Sequence, residues 1–212
     1  MLTIIIATQN KNKIKEFEKI LEVNNIEANV VSAGEIGIKT MPDETGSTFI
    51  ENAYIKAEAV FKMIPLVTPH ISAPYVVMAD DSGLTVIALN GEPGIYSARY
   101  ASTDGKDAND RDNVNKLLNS MENVPENKRE ASFACAIAAI TNDNIKIDAI
   151  GTLEGVIATK QTGTNGFGYD PVMFLPEEGC TVAEMTSEKK NQLSHRSKAT
   201  KKIIEKIKEI YF

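Results

Sequence analysis

The chain opens on Leu2-Thr-Ile-Ile-Ile-Ala-Thr8, an unbroken apolar and β-branched run. Residues branched at Cβ favour extended backbone. A strand with one wet face alternates apolar with polar; a run without alternation reads as a strand buried on both faces. A helix follows directly. Asn10 can cap a helix starting at Lys11, with Ile14, Phe17 and Leu21 at helical spacing and a stop at Asn24-Asn25. A buried strand leading into an amphipathic helix is the opening of an α/β fold.

The same reading carries along the chain. Ala28–Val31 is a second strand, and Gly34–Gly46 a polar loop punctuated by Gly and Pro. Thr48-x-x-Glu51 is a capping box for a second helix with the apolar stripe Ala53, Ala57, Val60 and Phe61, and Pro65 is expected beyond its end. Thr68–Pro74 reads as a turn-rich connection. Tyr75–Ala79 is a strand expected to break at Asp80-Asp81-Ser82-Gly83, with Leu84–Leu89 as another and Gly91–Asp107 as loop. Val114, Leu117, Leu118 and Met121 mark a third helix. Ala131–Ile140 and Ile145–Leu153 pair as a hairpin around Asn142-Asp143-Asn144. Gly163–Pro171 is a glycine-rich loop and Val172–Leu175 a short strand. The basic stretch Ser187–Lys198 leads into a last helix carrying Ala199, Ile203, Ile207 and Ile210. Strands alternate with helices early and pair as hairpins later. The expected architecture is therefore α/β, a mixed sheet with flanking helices.

Composition excludes several classes. With 42% apolar and 25% charged residues, the chain is not disordered throughout. Its 212 residues allow one domain of two lobes or two small domains. A net charge of −6 argues against a nucleic-acid polymer as partner, since phosphate binding needs a basic face, though not against a local basic pocket for a small anion. No apolar run approaches the roughly 20 residues of a membrane span. Met1–Thr8 lacks the basic lead and cleavage site of a signal peptide. Cys135 and Cys180 read as free thiols in a reducing compartment, and two His with two Cys make a zinc site of the usual kind improbable.

Four constellations could carry chemistry. Lys11 and Lys13 sit in the first turn of a helix, the wrong end for cations because that terminus is already positive. Either they are solvated, or an anion docks there on backbone N–H groups, Thr8, Asn10 and the lysines. Asp80 and Asp81 are adjacent on a strand and so point to opposite faces. They are either an Asp-rich turn or a carboxylate ligand with its support, of the kind Mg²⁺ takes together with substrate phosphates. Glu44 precedes the second helix with no structural job and is the better metal-ligand candidate, whereas Glu51 has the capping box. Lys56 alone reads as a surface lysine. In the loop Gly163–Pro171, Phe167 can stack a flat base and Asp170 accept its N–H groups, or the aromatics simply pack. Ser194 can cap the last helix and place His195 and Arg196 in its first turn, close after Lys189 and Lys190. Cations at a second helix start again leave two readings, a solvated charge run or a nearby anion.

Taken together, Thr8-x-Asn10-x-x-Lys13, Glu44-Thr-Gly-x-Thr-Phe49, Glu51-Asn-Ala-x-x-Lys56-Ala, Ala79-Asp-Asp-Ser-Gly-Leu84, Pro93-Gly-Ile-Tyr-Ser-Ala-Arg99-Tyr, Phe167-Gly-Tyr-Asp-Pro171 and Ser194-His-Arg196 closely resemble the inosine-triphosphate pyrophosphatase family. The match runs from about Thr3 to Ala199. Gln9 stands where Gly or Ser is common, Asn165 where Gly is common, and the Lys62–Tyr75 connection looks long. The resemblance implies a single 1–212 domain of two lobes around a cleft, acting as a cytoplasmic homodimer. It implies Mg²⁺-dependent hydrolysis of purine nucleoside triphosphates (ITP, dITP, XTP) to the monophosphate and pyrophosphate.

The same resemblance assigns residues. Thr8, Asn10 and Lys13 would hold the triphosphate. Glu44 and Asp81 would serve the metal, with Asp81 also the base for the attacking water and Lys56 balancing charge. Ser82, Phe167, Gly168, Tyr169, Asp170, Lys190, His195 and Arg196 would shape the nucleotide pocket, Arg196 donating to the 6-keto group of the base. Two rivals are a purine-nucleotide sensor without catalysis and the related septum-formation type pyrophosphatase acting on pyrimidine or methylated nucleotides. Glu44, Lys56 and Asp81 argue against the first. Ser194–Arg196 and Phe167–Asp170 argue against the second.

Overall fold

The computed structural model describes residues 1–23, 27–68, 71 and 74–211. The expected helix stop at Asn24-Asn25, part of the Thr68–Pro74 connection and the Lys11 side chain lie outside the described set. In chain order the elements are β1 (Leu2–Ile6), α1 (Lys11–Val23), β2 (Ala28–Ser32), α2 (Phe49–Val67), β3 (Tyr75–Val86), α3 (Asp110–Ser120), β4 (Glu130–Thr141), β5 (Lys146–Ile157), β6 (Met173–Leu175), β7 (Cys180–Thr181), α4 (Ser187–Leu193) and α5 (His195–Tyr211). The described strands form one mixed sheet in the order β2-β1-β3-β4-β5-β6-β7. β1 runs parallel to β2 and to β3, while β6 is antiparallel to β5 and β7.

The chain divides into two compact units, the first Met1–Asp81, Cys135–Gly151 and Arg196–Phe212, the second Ser82–Ala134 and Thr152–His195. In the first, the sheet is covered on both faces, which is why β1 lacks alternation. Leu2, Ile4 and Ile6 join Val76, Met78, Cys135 and Ile137 against Phe17 and Leu21 of α1 and Ala199, Ile203 and Ile207 of α5. The alternate residues Ile5, Ala7, Val77, Ala79, Ala138 and Ile140 pack against Ala53, Ala57, Val60 and Ile64 of α2. On β3 from Val76 to Ala79, then, even-numbered residues face α1 and α5, and odd-numbered ones face α2.

The second unit is built round Leu84, Val86, Val114, Leu117, Met121, Phe133, Ile157, Tyr169 and Met173. Arg129 is buried in the same unit, 5% exposed. Its guanidinium donates to the carbonyls of Ile157 at 2.6 Å, Met121 at 2.7 Å, and Val124 and Ala158 at 3.1 Å. Arg129→Met keeps the apolar stem and removes these four bonds, leaving Met121 O only its bond from Val124 N. We expect a loss of about 2–4 kcal/mol, read as a lower midpoint in urea unfolding; an unchanged midpoint would show that water satisfies the carbonyls.

Three expectations are corrected. Asp80-Asp81-Ser82-Gly83 does not break the strand: β3 is continuous over Tyr75–Val86, and Ile87–Leu89 is a 3₁₀ turn closed by Asn90 at φ 52. The β1 register on β3 ends at Met78, so beyond it β4 is the neighbouring strand whose pairing outweighs the poor strand preference of Asp and Gly. Pro65 lies inside α2, in its last turn, where it costs one helical donor with little helix left to disturb, and Thr68 N–H still closes the helix on Ile64 O at 2.9 Å. The stretch 187–198 is no simple lead-in. It holds α4, capped by Thr186 whose side chain accepts from Lys189 N, and Ser194 separates it from α5. The 91–107 loop contains a 3₁₀ segment, Gly94–Arg99. β7 is two residues long and carried no sequence signal.

Candidate active site

β3 places two carboxylates side by side and aims them apart. Asp80 continues the even-numbered face. Its Oδ2 lies 3.0 Å from Lys13 Nζ, 3.1 Å from Arg196 Nη2 and 4.0 Å from Cys135 Sγ. Arg196 Nη1 also pairs with Glu16 on α1. Asp80 is 1% exposed and Arg196 2%. Burial alone would raise the Asp80 carboxyl, but Lys13, Arg196 and Lys56 outweigh it and hold Asp80 well below the usual carboxylate range. Burial likewise works against the Arg196 charge, and Asp80 and Glu16 overcome it. The two cations that stood at helix starts thus meet on one carboxylate of the protein itself.

Asp81 continues the odd-numbered face, toward α2. Its Oδ1 lies 3.5 Å from Lys56 Nζ, and Lys56 also pairs with Glu44 Oε1 at 2.5 Å. Thr48 starts α2, its side chain accepting from Glu51 N, while the Glu51 carboxylate takes Ser47 N and Oγ, each at 2.7 Å. That start puts Asn52 and Lys56 one turn apart on the buried side. Asn52 Nδ2 donates to Asp81 Oδ2 at 3.1 Å, and its Oδ1 accepts from Gly46 N at 2.8 Å. Burial pushes the Asp81 carboxyl up, Lys56 pulls it down, Glu44 adds to the rise, and the net shift is upward. Burial opposes the Lys56 charge, but Asp81, Asp80 and Glu44 outweigh it, so its pKa is raised.

Glu44 and Asp81 already flank one cation, the Lys56 ammonium. Mg²⁺ needs only one or two carboxylates when substrate phosphates and water complete its shell. The pair fits that demand. Among the described residues no group of three or more His, Cys, Asp or Glu forms a cage of protein ligands.

At the start of α1, Thr8 Oγ1 accepts from Asn10 N at 3.2 Å and Asn10 Oδ1 from Lys13 N at 3.3 Å, so the expected cap is formed. Ser82 follows Asp81 on β3, half-buried. In the second unit Asp170, 3% exposed, accepts from Phe167 N at 3.0 Å and from Lys190 Nζ at 2.7 Å. Lys190 Nζ lies 4.5 Å above the Phe167 ring. Gly166, at φ +78, leaves room for this carboxylate; a Cβ there would overlap it. Gly168 N donates to Asp110 Oδ2 at 2.7 Å. Tyr169 is buried and its hydroxyl donates to Ser97 O at 2.9 Å, which anchors the loop. His195 stacks on Phe133 with centroids 5.0 Å apart.

The sequence-derived residues therefore gather in separate sets. Glu44, Lys56 and Asp81 form one, Lys13 and Arg196 with Asp80 a second, and Phe167, Asp170 and Lys190 a third. Asn52 and Glu16 join these sets without having been singled out. An amide beside Ala53 in the apolar stripe of α2, one turn before Lys56, was the signal for Asn52.

The Ham1 family model matches residues 4–206. This chain belongs to the Ham1 family. The dITP/XTP pyrophosphatase of Listeria monocytogenes is 48% identical over 211 residues, which are 99% of this chain and 97% of that protein. The dITP/XTP pyrophosphatase of Clostridium perfringens is 44% identical over 210 residues, 99% of each chain. The solved Ham1 protein of Staphylococcus aureus superposes with a TM-score of 0.81 at 39% identity over 98% of both chains. The Ham1 match covers nearly the same span as the resemblance read from the motifs, about Thr3 to Ala199. Among the described residues, no helix is long and apolar enough to cross a membrane.

Proposed function

We propose that this chain is a nucleoside-triphosphate pyrophosphatase that hydrolyses the non-standard purine nucleotides ITP, dITP and XTP to the monophosphate and pyrophosphate. The observation that carries the reading is Lys56 clasped by Glu44 and Asp81, in a chain whose relatives bear the name dITP/XTP pyrophosphatase. A pure binder has no use for two carboxylates beside a buried ammonium.

The first unit supplies the groups for the triphosphate. Asp81, its carboxyl raised by burial, is suited to orient a water and take its proton. The water oxygen then bonds to the α-phosphorus as the bond to the bridging oxygen of pyrophosphate breaks. Lys56 offsets charge on the phosphate oxygens. Thr8, Asn10 and Lys13 present the positive start of α1 to phosphate. Mg²⁺ held by Glu44 and Asp81 would add Lewis-acid neutralisation of the phosphate oxygens. In the second unit Phe167, Gly168, Asp170, Lys190 and His195 offer a stacking face and polar edges for a base, and Ser82 the hydroxyl nearest to Asp81 in sequence. The homodimer and the cytoplasmic location implied by the motifs belong to the same proposal.

The test is product analysis. Incubated with ITP and Mg²⁺, the protein should give IMP and pyrophosphate in equal amounts with no IDP phase. IDP and orthophosphate as first products would replace this reading with a terminal phosphatase.

A further inference from the structure

The groups around Asp81 were expected to act through charge, yet one partner is a neutral amide. Asn52 lies on α2 at 0% exposure. Burying an amide costs free energy unless its groups are bonded. Asn52 meets that demand with two unlike partners. A backbone N–H can only donate and a carboxylate accepts, so Gly46 N fixes Oδ1 and Asp81 Oδ2 fixes Nδ2. The orientation of the amide is thereby determined at both ends. Gly46 stands two residues after Glu44, and a Cβ on Gly46 would come within 2.7 Å of both Asn52 Oδ1 and Glu51 Cβ. The loop carrying Glu44 is therefore packed directly on the start of α2.

We infer that Asn52 is the positioning residue of this site, one amide that sets the rotation of the Asp81 carboxylate and fixes the loop bearing Glu44. With Oδ2 held by Asn52, Oδ1 is the oxygen turned toward Lys56. Losing the amide leaves Oδ1 on Lys56 and removes the bond that holds Oδ2, and a misdirected base lowers turnover more than binding. This inference rests on the hydrolase reading above.

Two substitutions separate the halves of the bridge. Asn52→Asp keeps the size and the acceptor for Gly46 N, and sets a carboxylate against Asp81 in place of a donor. Asn52→Ala removes both bonds. Each is read by ITP turnover, thermal unfolding and hydrogen exchange at the Gly46 amide. For both we expect kcat to fall about 10–100-fold, the range for partners that orient a ligating side chain. KM for ITP should change no more than about threefold. The Gly46 amide should exchange faster in Asn52→Ala and stay slow in Asn52→Asp. If Asn52→Ala fails to fold, the isosteric Asn52→Asp carries the test alone. Asn52→Asp with wild-type kcat would overturn the inference, as would a loss confined to KM. Wild-type protein that releases no pyrophosphate from ITP would overturn the hydrolase reading itself, a distinct result.

Discussion

Asp81→Asn is expected to lower kcat for ITP by about 10²–10⁴-fold while KM changes far less. Asn matches Asp in size, so packing against α2 is retained. What goes is the negative charge and the basic lone pair. Loss of a general base alone accounts for that range, and weaker metal binding adds to it. Binding groups elsewhere, Lys13 and the start of α1 among them, are untouched. Asp81 is 6% exposed, yet the fold should tolerate the substitution. Burial and Glu44 raise the Asp81 carboxyl above its ordinary 3.8. A carboxyl raised in the folded state is one whose charge the fold disfavours, so its ionised form lowers stability at neutral pH. The neutral amide removes that penalty, and Lys56 keeps Glu44 as partner. The check is kcat at saturating Mg²⁺ beside the thermal midpoint, which should stay within a few degrees of wild type. A variant with wild-type kcat would remove Asp81 from the chemistry.

Much of this arrangement was readable from residue order. The unbroken run of β1, the Asn10 and Thr48 caps and the stripe on α2 are local signals, and each element formed where they pointed. The split between Asp80 and Asp81 was also readable, because alternation along extended backbone needs no knowledge of partners. What was not readable depends on distant segments. Asp80-Asp81-Ser82-Gly83 carries turn preferences, and it is extended because β3 continues beside β4 past the end of β1 at Met78. The cations at two helix starts left two readings open, solvated side chains or a nearby anion. Nothing local to them points to Asp80, since Lys13 and Arg196 are brought together only when α1 and α5 cover the same face. Glu16 and Arg196 are 180 residues apart, beyond any local pattern. Glu51 had the capping role assigned to it only in part, its carboxylate reaching back to Ser47.

The largest stability effect should fall on the neighbouring carboxylate. Asp80 has no exposed side-chain surface and takes Lys13 and Arg196 on one oxygen. Asp80→Asn leaves the buried Arg196 guanidinium with Glu16 as its remaining carboxylate, and leaves Lys13 without its counter-ion. Breaking a buried ion pair from one side typically costs about 3–5 kcal/mol, because the charge left behind stays desolvated. For a chain of this size that is a fall in Tm of roughly 6–20 °C. The pH dependence follows from the direction of the shift. The folded carboxyl is held below its ordinary 3.8, so ionised Asp80 contributes its full stability above that value and loses it as pH falls toward the folded pKa. The gap between wild type and variant should therefore be constant from pH 7 down to about pH 5 and narrow below 3.8. Unfolding midpoints at pH 7 and at pH 3 measure it. An equal gap at both would mean the loss comes from packing, and no gap at pH 7 would mean that Glu16 and solvent already satisfy both cations. Set beside Asp81→Asn, the experiment separates two adjacent carboxylates by what each does. One change should remove turnover and spare the fold. The other should weaken the fold first, and lower turnover only as far as Lys13 loses its place at the start of α1.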